Sequence, residues 1–289
     1  MKIQRAGNTE TALCFITFIE NNINISLIEK NEIQKLKILY VDWIYKTAGY
    51  YDKDVITKDK FTLNDFTPNL IKYINMLINS YKNSDILNTA FLEKFENNIL
   101  YKYKNEYLQY LNPMQIQQPY IFYMYQLKPY ILNKKVLVIS SFKKLIECQI
   151  KKGNLNILYN EIYKDTIFIN YNYPYKFIND GPDNNVFETL DKIKSNISKI
   201  EFDISILSCG ADGGILTDYI HSDMKKDAIY IGGHLSAMFG VFGKRFNNTN
   251  YNDYFKDKKI SDITPYIITS IPEEERPKNY EKIENGCYW

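Results

Sequence analysis

Long hydrophobic runs are missing from this sequence, and so is any block of like charge. No stretch approaches the roughly 18 apolar residues of a membrane-spanning helix. The opening residues MKIQRAGNTETALCF carry Arg5 and Glu10 where a secretory signal needs an apolar run. The 36 basic and 34 acidic residues nearly cancel, to a formal net charge of +2, so there is no overall field of the kind that recruits nucleic acid or an anionic membrane. Any polyanion site must be local, and no nucleic-acid partner is expected. Cysteine and histidine are scarce as well. Cys14, Cys148, Cys209 and Cys287 lie far apart with no Cys-x-x-Cys pair, and only His221 and His234 could assist them, a pattern that argues against a structural zinc site. They read as reduced thiols. The expectation is a soluble cytoplasmic protein without a transmembrane segment, long enough at 289 residues to bury a core without covalent staples.

What is present divides by pattern. Asn, Ile, Lys and Tyr are abundant but evenly spread, and no internal repeat breaks the chain, so a single domain over residues 1–289 is expected. From about 67 to 126 apolar residues recur at three-to-four spacing, as in LIKYINMLINSY (Leu70 to Tyr81) and FLEKFENNILYKYKNEYLQYL (Phe91 to Leu111), which predicts a helical subregion inserted in the N-terminal half. The break NPMQIQQPY ends it.

From 134 to about 246 short apolar runs alternate with helical pattern. KKVLVIS leads into SFKKLIECQIKK, stopped at Gly153; DTIFINY precedes DNNVFETLDKIKSNISKI, with Asp183 or Asn184 as its predicted cap; FDISILS, a glycine-rich turn, a helix and DAIYIGG follow. This alternation predicts an α/β fold, a Rossmann-like and mainly parallel sheet flanked by helices, followed by a C-terminal tail over 247–289. In such sheets ligands sit beyond the carboxyl ends of the strands.

Two strand ends carry glycine there. CGADGG (Cys209 to Gly214) delivers the chain to a helix start, where unpaired N–H groups and the helix dipole favour an anion; Gly210, Gly213 and Gly214 leave those groups accessible. The same run is equally compatible with a plain tight turn. Asp212 would repel a bare phosphate, so it should cap the helix, bind a sugar hydroxyl or reach a cation. The next strand ends in Gly232-Gly233, then places His234 at a helix start and Lys244-Arg245 beyond Gly243. Together these make a pocket for a nucleotide-linked ligand; the alternative is a capping histidine and a solvated basic pair.

Three segments, FDISILSCGADGG, AIYIGGHLSAMFGVFGKRF and the C-terminal RPKNYEKIENGCYW, resemble a family of bacterial and viral polysaccharide-cluster proteins related to the GT-D type of glycosyltransferase. KKVLVISSFKKLIECQIKK and TAGYYDKD are similar to further segments of that family, and IQRAGNTE resembles its Arg-Phe-Gly-Asp-Gly-Glu element. The resemblance implies a glycosyltransferase acting in polysaccharide or glycan synthesis, with a nucleotide-sugar as donor, a glycan or lipid-linked acceptor and a divalent cation, manganese or magnesium. Carried over position by position, Arg5 and Gly7 match, Glu10 is the surviving carboxylate, and Asn8 stands where an aspartate would, so Asn8 and Glu10 are the implied metal ligands. An amide oxygen can still ligate a hard cation but brings no charge and no base.

Asp212, His234, Ser236 and Phe246 depart from the family pattern, which implies an altered ligand or lost activity. Glycosyl transfer needs the departing diphosphate stabilised and, on inversion, a base for the acceptor hydroxyl. Arg5, Lys244, Arg245 and the glycine-turn amides are candidates for the first task, and Glu10, Asp212 and His234 for the second. Glu10 ranks first, with pairing to Arg5 or a place in a helix start as its purely structural alternative. The rival reading is a non-catalytic nucleotide- or glycan-binding protein of such a pathway. A nucleotide-cofactor methyltransferase fits less well, because VISSFKK has no glycine.

Overall fold

The computed structural model describes the whole chain except residues 57, 89–91, 97, 118–123, 245–253, 256, 257, 283–285, 287 and 288. Seven parallel strands form one sheet: β1 (Lys2–Arg5), β2 (Ile86–Asn88), β3 (Gln115–Gln117), β4 (Lys135–Ser140), β5 (Ile167–Asn172), β6 (Ile204–Ser208) and β7 (Asp227–Tyr230), in the spatial order β3-β2-β1-β7-β6-β4-β5. The helices are α1 (Asn8–Asn22), α2 (Leu27–Lys46), α3 (Pro68–Tyr81), α4 (Lys104–Leu111), α5 (Met124–Ile131), α6 (Lys143–Lys151), α7 (Asn154–Leu158), α8 (Val186–Ile197), α9 (Asp212–Ser222), α10 (His234–Met238) and the short α11 (Ile260–Ile263). The expected α/β architecture, a parallel sheet flanked by helices, is what the chain adopts.

Both faces of the sheet are buried, and successive residues of a strand serve opposite cores. Leu137, Ile139, Leu207, Ala228 and Tyr230 face a core built with α1, α2, α3, α8 and α9. Val136, Val138, Ile204, Ile206 and Ile229 face the other, built with α5, α6, α7 and α10. Strands covered on both sides read as continuous apolar runs, which is why β4 and β6 are legible in the sequence.

β1 is not. Its residues KIQR lie at the middle of the sheet, with Lys2 and Gln4 buried. Lys2 Nζ donates to Lys82 O at 2.7 Å and to Asp218 Oδ1 at 3.0 Å, and Gln4 Nε2 donates to Gly214 O at 3.1 Å. Polar side chains can occupy a core strand when partners are supplied from elsewhere in the chain.

The helical subregion differs from expectation too. It contains β2 and β3, which extend the sheet beyond β1. The stretch from Phe91 to Leu111 is not one helix: 3-10 turns over Leu92–Phe95 and Ile99–Tyr103 precede α4. Asn98 is the local cause, because its side chain accepts from Leu100 N at 2.9 Å and starts a new turn. The cap of α8 is Asn185, accepting from Phe187 N and Glu188 N, rather than Asp183 or Asn184.

The connection after β4 runs outward to β5, whereas that after β6 runs inward to β7. These two neighbours, paired up to Ser140 and Ser208, therefore mark the point where the winding reverses, and a crevice opens beyond their carboxyl ends.

Candidate functional site

A cavity of about 410 Å³ lies at that edge, within the usual size range of small-molecule sites. Its lining comes from the ends of five strands and one loop. β1 contributes Arg5 and the following Gly7 to Glu10, β7 is followed by Gly232 and Gly233, and β6 ends in Ser208 before Gly210. β4 leads into Ser140, Ser141 and Phe142, β5 into Tyr173 to Phe177, and α2 with its following loop supplies Trp43 and Thr47 to Gly49. Tyr230 and Trp289 complete the wall.

The glycines matter individually. At Gly7 a Cβ would lie 2.4 Å from both carboxylate oxygens of Glu10, so the Glu10 side chain, 6% exposed, lies directly on that backbone. Glu10 is the third residue of α1 with Gly7 as N-cap, a position from which an acid commonly folds back over the helix start. Gly232 has φ +75, and a Cβ there would meet Arg5 Nη1 at 2.5 Å. The corner is thus shaped to seat the guanidinium, whose carbon is 6.0 Å from the Tyr230 ring centroid. Gly210, at φ +51, abuts Ala48 O. Tyr230 OH donates to Gly210 O at 2.5 Å and Ala211 N to Ala48 O at 2.9 Å. Burial pushes the Tyr230 phenol up, and the Glu10 charge adds to this while Arg5 opposes it.

Helices α1, α6, α9 and α10 all begin at this cavity or beside a lining residue, and none of their N-caps, Gly7, Phe142, Ala211 and Gly233, makes a side-chain capping bond. Of the helices that start elsewhere, α2, α3 and α8 are capped by Ser26, Thr67 and Asn185, whereas α4 and α7 also lack a side-chain cap. Convergent uncapped helix starts and Arg5 favour an anionic occupant. Among the described lining residues Glu10 is the one acidic side chain. Asn8 Oδ1 is buried without a hydrogen-bond partner, so it is available to a donor or a cation.

No protein-family model, curated protein or solved structure matches the chain. The chemistry must therefore be read from the residues themselves.

Of the residues singled out in the sequence, Arg5, Gly7, Asn8, Glu10, Gly210, Gly232 and Gly233 meet in this cavity. The others do not. Asp212 is completely buried; Tyr73 OH donates to its Oδ1 at 2.6 Å, Tyr173 OH to its Oδ2 at 3.0 Å, and Lys176 Nζ to the same oxygen. It neither caps α9 nor lines the cavity. Gly213 and Gly214 serve packing: a Cβ on Gly213 would lie 2.2 Å from the Tyr230 ring, and one on Gly214 3.0 Å from Ser80 Oγ. His234 turns away, its Nδ1 2.6 Å from Tyr254 OH. Lys244 is exposed, 6.0 Å from the Tyr280 ring centroid, and is not part of the lining. Arg245 lies outside the described residues. Among these residues no group of three or more His, Cys, Asp or Glu forms a metal cluster, and no helix is long and apolar enough to cross a membrane.

Sequence reasoning missed the wall from Tyr173 to Phe177 and the Ser140 to Phe142 turn. The rule that ligands gather beyond strand carboxyl ends would have found both, since each directly follows a predicted strand. Trp289 is sequence-remote from every other lining group, and no local pattern links it to them.

Proposed function

We propose that the chain is a glycosyltransferase-like enzyme that holds a nucleotide-sugar donor in this cavity. One observation carries the reading: the Arg5 to Glu10 segment and the Gly210 and Gly232-Gly233 corners share one cavity, although about 200 positions or more separate them in sequence. Arg5 and the uncapped N–H groups stabilise the departing diphosphate by charge-assisted hydrogen bonds. Glu10 accepts the proton of the acceptor hydroxyl, belonging to a glycan or a lipid-linked glycan. Asn8 and Glu10 offer two oxygens to a divalent cation, manganese or magnesium, which fits a site where diphosphate oxygens and water supply the remaining ligands. When bound there, such a cation would neutralise charge on the diphosphate.

A second reading is favoured by one specific observation. The Glu10 carboxylate lies on Gly7 at the start of α1, as a purely structural helix-start acid would, and the cavity then belongs to a non-catalytic binder of nucleotides or glycans.

Thermal unfolding with uridine, guanosine, cytidine and thymidine diphosphate sugars, with and without manganese, tests both readings. A donor at a hundred times its dissociation constant adds about 2.7 kcal/mol of apparent stability. With the enzyme reading, Glu10→Gln keeps the shift measured without manganese and lowers turnover by about 10²–10⁴-fold. With the binding reading, the shift occurs and no turnover accompanies it. Absence of a shift with every nucleotide-sugar rejects the assignment of the cavity.

A further inference from the structure

The Asp212–Lys176 pair joins a lining residue of the cavity, Lys176, to a carboxylate outside the lining, and the carboxylate's acceptor sites are largely filled. Asp212 receives Tyr73 OH from α3, and Tyr173 OH and Lys176 Nζ from the segment after β5. All four side chains are buried, Asp212 completely and Lys176 to 2% exposure. The ammonium also lies 5.7 Å from the Tyr51 ring centroid and 5.4 Å from that of Tyr173. Burial lowers the Lys176 pKa while the Asp212 charge opposes the shift.

A buried ion pair is a weak source of stability, because desolvation offsets the attraction, and two apolar residues often serve a core as well. Its location points to a geometric role. The segment from Tyr173 to Lys176 has no helix or strand of its own, yet with Phe177 it supplies one whole wall of the cavity. Asp212 stands at the first turn of α9, two residues beyond Gly210, which also lines the cavity.

We infer that Asp212 is a positioning residue: through Lys176 and Tyr173 it fixes the aromatic wall at a set separation from the Gly210 corner, so that the cavity is preformed. The inference rests on reading this cavity as the ligand site. Hydrogen bonds at the two ends of the wall report on it without any ligand: Tyr173 N donates to Ser140 O at its start, and just beyond Phe177 Ile178 N donates to Lys46 O and Asn179 N to Tyr45 O.

The test is native-state amide exchange on the full chain, comparing those three amides with the buried Ile231 N, which donates to Leu207 O of β6 just past the end of β7. Tyr173→Phe removes one hydroxyl and keeps both charges, so it reports even if harsher variants fail to fold. The Asp212→Leu/Lys176→Met double variant removes the pair without leaving a lone buried charge. A positioning role predicts that the wall amides exchange about fivefold faster in Tyr173→Phe and faster still in the double variant, with Ile231 unchanged. Wild-type protection of the wall amides, or equal acceleration at Ile231, overturns the inference.

Uridine diphosphate provides a second readout. A thermal shift seen with the wild type should be lost in the double variant, and an intact shift there also overturns the inference. A wild type that uridine diphosphate does not shift counts against the choice of ligand, while the exchange comparison still decides the role of Asp212.

Discussion

Replacing Gly232 by alanine sets backbone strain against loss of a binding group, and Gly153 provides the control. Both have φ in the left-handed region, +75 and +72, but a Cβ at Gly153 meets nothing within 4 Å, whereas one at Gly232 meets Arg5 Nη1 at 2.5 Å and Cδ at 3.0 Å. Each variant should lose about 1–2 kcal/mol to the left-handed conformation. The additional clash at Gly232 is with the end of a long flexible side chain, which swings aside at small cost. The two variants should therefore unfold in urea within about 1 kcal/mol of each other.

Their ligand affinities should differ much more. A displaced guanidinium forfeits charge-assisted hydrogen bonds worth about 1.5–3 kcal/mol, so pyrophosphate or a nucleoside diphosphate should bind Gly232→Ala at least about tenfold more weakly. Gly153→Ala should bind like the wild type. Titration calorimetry on both variants is the assay. Unchanged affinity in Gly232→Ala would show that Arg5 does not contact the anion from that corner, and the polarity assigned to the cavity would be wrong.

Two further perturbations address the fold around the site. Gly213→Ala would normally strengthen a helix by roughly 1 kcal/mol, but its Cβ would press on a Tyr230 ring that is 1% exposed and tied to Gly210 O. Overpacking of this kind costs about 1–3 kcal/mol, so a net loss of stability in urea is expected, and a gain would contradict the packing role of that glycine. Glu29 closes the capping box of α2 with Ser26 and also takes hydrogen bonds from Lys102 and Tyr103. The Lys102 hydrogen bond, followed by those of Ser26 and Tyr103, lowers its pKa from 4.5 to about 2. Its folded value lies below its unfolded one, so its contribution is complete above about pH 4.5 and is lost as pH falls through about 2. Acid titration of the wild type against Glu29→Gln should show the difference between them vanish across that window, and a constant difference would refute the assignment.

Legibility followed the range of the interactions involved. The strands β4 to β7 and the helices between them could be read because each is an apolar run or stripe whose period is local, and the glycine corners because a tight turn leaves its mark in adjacent residues. Residues 91–111 looked like one helix for the same local reason, and a single side-chain cap at Asn98 broke it. β2 and β3 have three residues each, too few to show a period.

The sequence alone therefore determined the α/β class and, with it, the strand carboxyl ends as the place where a cavity opens, since both follow from patterns within a few turns of chain. Only the tertiary structure decided that KIQR is a central strand, that Arg5 and Glu10 face the glycine corners, and that Asp212 is locked to Lys176 instead of opening to a ligand. Those outcomes depend on partners 36 to 210 residues away for Gln4 and Asp212 alone, and a buried polar group is placed by whichever distant partner satisfies it.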